Sequence, residues 1–288
     1  VPLDALAIDP ATYPAFFDKG AQAQLQALGH GEALLGESAA AQRRIGPGGV
    51  VELANGYPLT VGGVVDDQVV GAAELVVRSD TAGKADILTE RFLLVAYRGS
   101  RAAMDHAIAG LVPDRTVRFR TREETPYLRH GDAVLPQVFI KERFGEFAYQ
   151  ERPDGSIVVD PAWRAENVTR AVVPILGEVE CHRAVIPLLQ GALTELEQEN
   201  RAYLVDPGGY RGCFVPSLIR GANGRATSPA RHSWGVALDL NFSQSPTGLA
   251  STVDPQLVEV METYGFRSGE EWLVPDPGHF EYYAPPER

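Results

Sequence analysis

Cysteine, positive charge and long apolar runs are all scarce in this sequence. Only two cysteines occur in 288 residues, Cys181 and Cys213. They lie far from any CxxC pattern, which excludes a zinc knuckle. Spacing alone leaves them as one disulfide or two buried thiols; a bridge over that loop would stabilise the fold by roughly 3–4 kcal/mol. No stretch reaches about 18 consecutive apolar residues, so no transmembrane helix is expected. No Lys/Arg-rich run occurs either. The 26 basic residues face 38 acidic ones, for a net charge of −12. A chain that tracks phosphates needs a basic face to displace counterions, so neither nucleic acid nor an anionic membrane surface is an expected partner.

What is present reads as a soluble globular protein. The apolar fraction is 44% and the charged fraction 22%, both ordinary for that class. The length is comfortable for two domains of about 100–200 residues each. The chain opens on Val1, which suits a processed product as well as an expressed one.

The first half reads as mainly β. Val50–Leu53 and Leu59–Val65 flank Asn55-Gly56, the signature of a hairpin. Glu74–Arg78, Phe92–Tyr97, Thr116–Thr121, Ala133–Ile140 and Ser156–Val159 are further short runs rich in β-branched or aromatic residues. Helices are expected near Ala21–Leu28 and over Arg101–Ala109, with Ser100 as N-cap and Gly110 as stop. A junction is expected over Asp154–Asn167. Beyond it, Ala184–Glu199 carries apolar residues at helical spacing. Pro255–Tyr264 has Asp254 as N-cap, Pro255 in the first turn and Gly265 as stop. The expected class is α+β: a mainly β accessory domain over residues 1–165, then a domain over 166–288 with a small antiparallel sheet flanked by helices.

Two segments carry chemistry. In Val236–Asn241, read as a strand, Ala237, Asp239 and Asn241 share one face, with His232 entering just before Gly235. In the second, Pro275-Asp276-Pro277-Gly278 makes a rigid turn, and His279 and Glu281 then share a strand face. Two imidazoles and a carboxylate suit zinc with one position left for water, whose pKa falls toward about 7. Asp276 is placed to take that water's proton, and Arg211 of Gly209-Tyr210-Arg211 is a candidate cation for the carbonyl oxygen or a substrate carboxylate. Taken singly, each has a plain reading: a structural histidine, a solvated strand aspartate, a turn residue, a surface arginine. It is the set that points to a metal.

His232-x-x-Gly235-x-Ala237-x-Asp239, then Asp276-x-x-His279-Phe280-Glu281, resembles the D-alanyl-D-alanine metallocarboxypeptidase family, which shares its zinc fold with lysostaphin and the hedgehog signalling domain. Gly209-Tyr210-Arg211 matches a third block of that family, so the resemblance spans roughly Gly177–Tyr283. It implies His232, Asp239 and His279 as zinc ligands, Asp276 as catalytic base where many members carry Glu, and Arg211 as the residue that stabilises the transition state or anchors the substrate. The implied substrate is a peptidoglycan stem peptide. D,D-carboxypeptidase action comes first, and L-Ala-D-Glu or other endopeptidase action second. Cys181-His182-Arg183 and Cys213 resemble an extracytoplasmic bacterial branch in which the two cysteines are bridged.

Departures matter too. Ala230 stands where the family has a substrate-holding Ser, with Ser228 or Ser233 as possible replacements. Arg267–Glu271 replaces a Trp-Gly-Gly segment. A wall-binding or scaffold protein that keeps the fold without turnover is the rival reading. His30, His106, His130 and His182 are expected to have no metal role. Glu281 is a candidate to orient a ligand, and Trp234 and Trp272 to pack beside the site. The segment Gly221–Arg231 could form a rim over it. The amino-terminal domain shows no catalytic cluster and could bind the wall or a protein partner.

Overall fold

The computed structural model describes residues 2–71, 73–87, 94–111, 134–220, 226–272 and 274–284. The fold is α+β, and the chain divides into two units. One comprises Leu3–Gly131 and Pro136–Arg143; the other comprises Val1–Pro2, Asp132–Leu135 and Phe144–Arg288. The boundary expected at residue 165 therefore falls inside the second unit.

The first unit is built on β1 (Ala5–Ile8), α1 (Lys19–Ala27), β2 (Glu32–Gly36), α2 (Glu37–Arg43), β3 (Val50–Glu52), β4 (Pro58–Val65) and β5 (Leu75–Arg78). α3 (Ser79–Ala82), α4 (Arg101–Leu111) and α5 (Gln137–Phe144) follow. The strands form one mixed sheet, ordered β1-β5-β2-β4-β3. Period-2 alternation explains its two buried faces. Leu34 and Val76 enter a cluster with Leu25 of α1, while their neighbours Leu35, Leu75 and Val77 enter a second cluster with Ala40 of α2. The β3–β4 hairpin forms as its sequence implies: Gly56 takes φ +78 in the turn, and Asn55 Oδ1 accepts from Tyr57 N at 3.0 Å. Ser100 accepts from Ala103 N at the start of α4, which runs through Gly110 to Leu111.

Of the strand expected over Ala133–Ile140, residues 137–140 instead open helix α5, 134–136 adopt no regular structure, and 133 lies outside the described residues. The β-branched and aromatic content misleads, because buried polar pairing decides this segment. Gln137 Nε2 and Lys141 Nζ both donate to Glu74 Oε1, at 3.1 and 2.7 Å. A helical turn brings residues four apart within reach of one carboxylate; a strand would separate them by about 13 Å. Arg43 Nη2 meets the other oxygen at 2.6 Å. Residues 94–97 adopt no regular structure. Residues 92–93, the expected strand Thr116–Thr121 and His130 lie outside the described residues.

The second unit contains β6 (Tyr149–Glu151), β7 (Ile157–Val159), α6 (Pro161–Asn167), β8 (Val168–Val173), β9 (Gly177–His182) and α7 (Ile186–Gln198). It continues with β10 (Leu218–Arg220), β11 (Ala226–Pro229), β12 (Ala237–Asp239), α8 (Pro255–Thr263), β13 (Phe266–Gly269) and β14 (Asp276–Tyr282). The central sheet is antiparallel, ordered β12-β14-β13. Helix α7 buries Leu189, Leu193 and Leu196 and packs against α8, which in turn packs on β13. Asp254 caps α8 through Gln256 N, with Pro255 in the first turn. A disulfide joins Cys181 of β9 to Cys213. No helix among the described residues is long and apolar enough to cross a membrane.

Candidate metal centre

Strand register builds the first half of the site. In the β12–β14 ladder Asp239 lies opposite His279, and Ala237 lies opposite Glu281. Directly opposed residues share a face with their side chains about 5 Å apart at the base. All four therefore stand on one face, with the small Ala237 leaving space beside Glu281. His232 arrives from a one-turn 3-10 helix, Arg231–Trp234, which ends at Gly235 in the left-handed region (φ +68). A Cβ at Gly235 would stand 2.7 Å from His182 N, so both the conformation and the close approach require glycine.

The three side chains converge. His279 Nδ1 is 2.9 Å from Asp239 Oδ1, His232 Nε2 is 3.2 Å from His279 Nδ1, and His232 Nε2 is 3.3 Å from Asp239 Oδ1. Donor atoms around a tetrahedral zinc at its usual bond lengths stand about 3.3 Å apart. Partners on the far side of each ring agree with that use. His232 Nδ1 faces Cys213 O at 3.2 Å, and His279 Nε2 faces Glu281 Oε1 at 3.2 Å. Both partners accept, which places a hydrogen on each of those nitrogens and turns the other lone pair inward. The two inner nitrogens and the Asp239 carboxylate therefore face one spot, where a shared proton or a cation relieves their repulsion. His232, Asp239 and His279 could hold a metal ion.

The same demand for positive charge appears in the titration of the groups. Burial pushes the Asp239 carboxyl up, but hydrogen bonds from His232 and His279 outweigh it and hold the group well below the usual carboxylate range. Burial opposes charge on His279, yet its bonds to Asp239 and Glu281 push it up to about 10. Glu281 is itself buried and would be pushed up by that burial. Its bond to His279, the Arg231 charge and a 2.8 Å bond from Val134 N keep it low.

Around this cluster lie the remaining candidates. Asp276 opens β14, and its Oδ1 accepts from Thr247 Oγ1 at 2.9 Å. Burial, joined by the Asp239 charge, raises its pKa; the Thr247 bond and the two histidines oppose the rise. Arg211 donates its backbone N–H to Asp239 O at 3.1 Å, and its guanidinium lies over the Phe242 ring. Trp272 packs 5.0 Å from the His279 ring, whereas Trp234 is fully buried against Phe147 with Nε1 on Gly145 O. Trp272 thus borders the site and Trp234 belongs to the core. Ser233 cannot replace the missing Ser at 230, because its hydroxyl is engaged by Ser217 N and Ser217 O at 3.0 and 2.9 Å. His182 is structural: it packs edge-on against Phe144, accepts from Ala184 N, and burial lowers its pKa to about 4. His30 pairs with Asp80 near the surface of the first unit. Residues 221–225 of the expected rim lie outside the described residues.

Sequence reasoning did not find Cys213 O, Val134 N, Arg231, Thr247 or Phe242. Two of these are backbone groups, which carry no residue signature. Val134 lies 147 residues from the glutamate it serves, beyond the reach of any local pattern.

The antiparallel sheet thus carries a His-Asp-His cluster of the kind that could hold a metal ion. Residues 223–282 match the family model described as D-alanyl-D-alanine carboxypeptidase. Over that segment, which is well under half of the chain, the sequence is similar to this family of peptidases. The segment contains His232, Asp239, Asp276 and His279, while Arg211 lies upstream of it. No curated protein and no solved structure matches the chain.

Proposed function

We propose that this protein is a zinc D,D-carboxypeptidase that removes the terminal D-Ala from peptidoglycan stem peptides outside the cytoplasm. What carries the reading is the convergence of His232, Asp239 and His279 beside an aspartate of raised pKa. Zinc bound there would supply Lewis acidity and bring the pKa of a water toward about 7. Asp276 takes the proton of the attacking water and passes it to the leaving amine as the C–N bond breaks; its raised pKa suits both transfers. Arg211 meets the charge that develops on the carbonyl oxygen, or the terminal carboxylate. Cys213 O and Glu281 hold the two imidazoles in the required tautomers. The disulfide supports an oxidising, extracytoplasmic setting.

One observation favours a second reading. With Ala230 in the serine position and Ser233 bound to Ser217, the site has fewer groups for a terminal carboxylate, which suits cleavage within a longer stem or cross-bridge. Mass spectrometry of a stem pentapeptide ending in D-Ala-D-Ala, with zinc-loaded protein and a His232→Ala control, separates the two. Loss of one alanine by the wild type alone is the expected result. Cleavage elsewhere reassigns the protein as an endopeptidase, and an untouched peptide, followed by untouched sacculi, overturns the enzyme reading.

A further inference from the structure

Several arginines of this chain are spent on carboxylates, whereas Arg211, on the surface, is not. Arg43, Arg78, Arg164 and Arg267 each meet a carboxylate. The Arg211 guanidinium has no hydrogen-bond or ion-pair partner among the described residues, in a chain with 38 acidic side chains. Instead its carbon sits 5.2 Å from the centroid of the Phe242 ring. A guanidinium over an aromatic face is held by the ring's quadrupole while its N–H edge stays unspent.

The backbone fixes this pairing. Arg211 N donates to Asp239 O and Phe242 N donates to Gly209 O, both at 3.1 Å, so 209–211 runs clamped along 239–242. Gly209 permits the approach: a Cβ there would lie 2.8 Å from Asn241 Cα. Asn241, with φ +53, tightens the clamp from the other side. Its amide donates to Leu204 O at 2.8 Å and accepts from Asp206 N at 2.7 Å. The segment that ends in a candidate metal ligand, Asp239, thus continues three residues on into the ring that carries the cation.

We propose that Phe242 is a positioning residue for Arg211, its ring holding the guanidinium with the donor edge free for a substrate carboxylate or oxyanion. The inference rests on the role given to Arg211 above. Phe242→Leu removes the aromatic face and is expected to lower kcat/KM for the stem peptide about fivefold, with zinc content per chain unchanged. Phe242→Trp keeps the face and restores most of the loss. In an Arg211→Ala background, Phe242→Leu adds less than about twofold, because its effect runs through the arginine. Full additivity of the two substitutions overturns the inference. A readout independent of turnover is the ring-current shift of the Arg211 δ-methylene protons by NMR. Upfield resonances in the wild type that move to ordinary positions in Phe242→Leu support the stack, and identical resonances in the two proteins refute it. Should the wild type cleave no wall peptide, the functional reading falls, and the NMR comparison still decides this one.

Discussion

Both units of this protein bury charge, and they do it in opposite ways. In the amino-terminal unit the Glu74 carboxylate is met by Lys141, Arg43 and Gln137, so its charge is answered inside the chain. In the carboxy-terminal unit Asp239, Glu281 and Asp276 gather around two imidazoles whose inner nitrogens converge, while Arg211 keeps its donors unspent among the described residues. A closed network needs nothing more and serves the fold. Under the proposed function an open one is completed from outside, by a cation at the histidines and an anion at Arg211. Burial alone does not separate the two clusters, since Glu74 and Glu281 are both buried.

Experiments that break this contrast rank by size. Asp276→Asn removes the proton acceptor and is expected to lower kcat by about 10²–10⁴-fold while zinc stays bound. The pH profile gives a second check. The base works only when ionised, so activity is lost as pH falls through its pKa. That pKa is raised, so the acid limb should stand above the range of an ordinary aspartate and vanish in the Asn variant.

Next comes the closed network. Lys141→Met leaves Glu74 short of a cation and should destabilise the amino-terminal unit by about 3 kcal/mol in denaturant unfolding. Adding Glu74→Leu should recover most of that loss, while zinc binding and peptide cleavage remain unchanged in both. Burial pushes Glu74 up, but Lys141 and Arg43 outweigh it and hold the group low. Its contribution to stability is therefore full above the unfolded glutamate's pKa and disappears as pH falls through the lowered one. No loss on Lys141→Met would remove the contrast altogether.

The smallest effect tests the open cluster from behind. Glu281→Gln weakens the acceptor on His279 Nε2 and should reduce zinc affinity about 10–100-fold in a chelator competition, with little change in unfolding. An equal fall in stability instead would place Glu281 among the structural charges, with Glu74.

Much of the site was legible in sequence because it is local. His232, Gly235, Ala237 and Asp239 lie within eight residues, and Asp276, His279 and Glu281 within six. Strand alternation alone predicts which of them share a face, and the β12–β14 register agrees. The hairpin at Asn55-Gly56 and the capped helix after Asp254 were readable for the same reason, since their determinants are adjacent residues. The α5 segment was not. Its composition favours a strand, and the helix is stabilised by a carboxylate more than sixty residues away.

By itself, then, the sequence determined the chemistry on offer: the identity and order of the donors, the turn glycines and the periodicities that set local structure. Only the tertiary structure decided how that chemistry is arranged. It selected Ser233 for the backbone of Ser217 and not for substrate, put Trp234 in the core and Trp272 at the site, laid Arg211 on Phe242, and turned the histidine lone pairs inward through Cys213 O and Glu281. The physical reason is range. Propensity and periodicity act over a few residues, whereas hydrogen bonds, ring contacts and charges act between whatever groups the packed chain brings within a few ångströms.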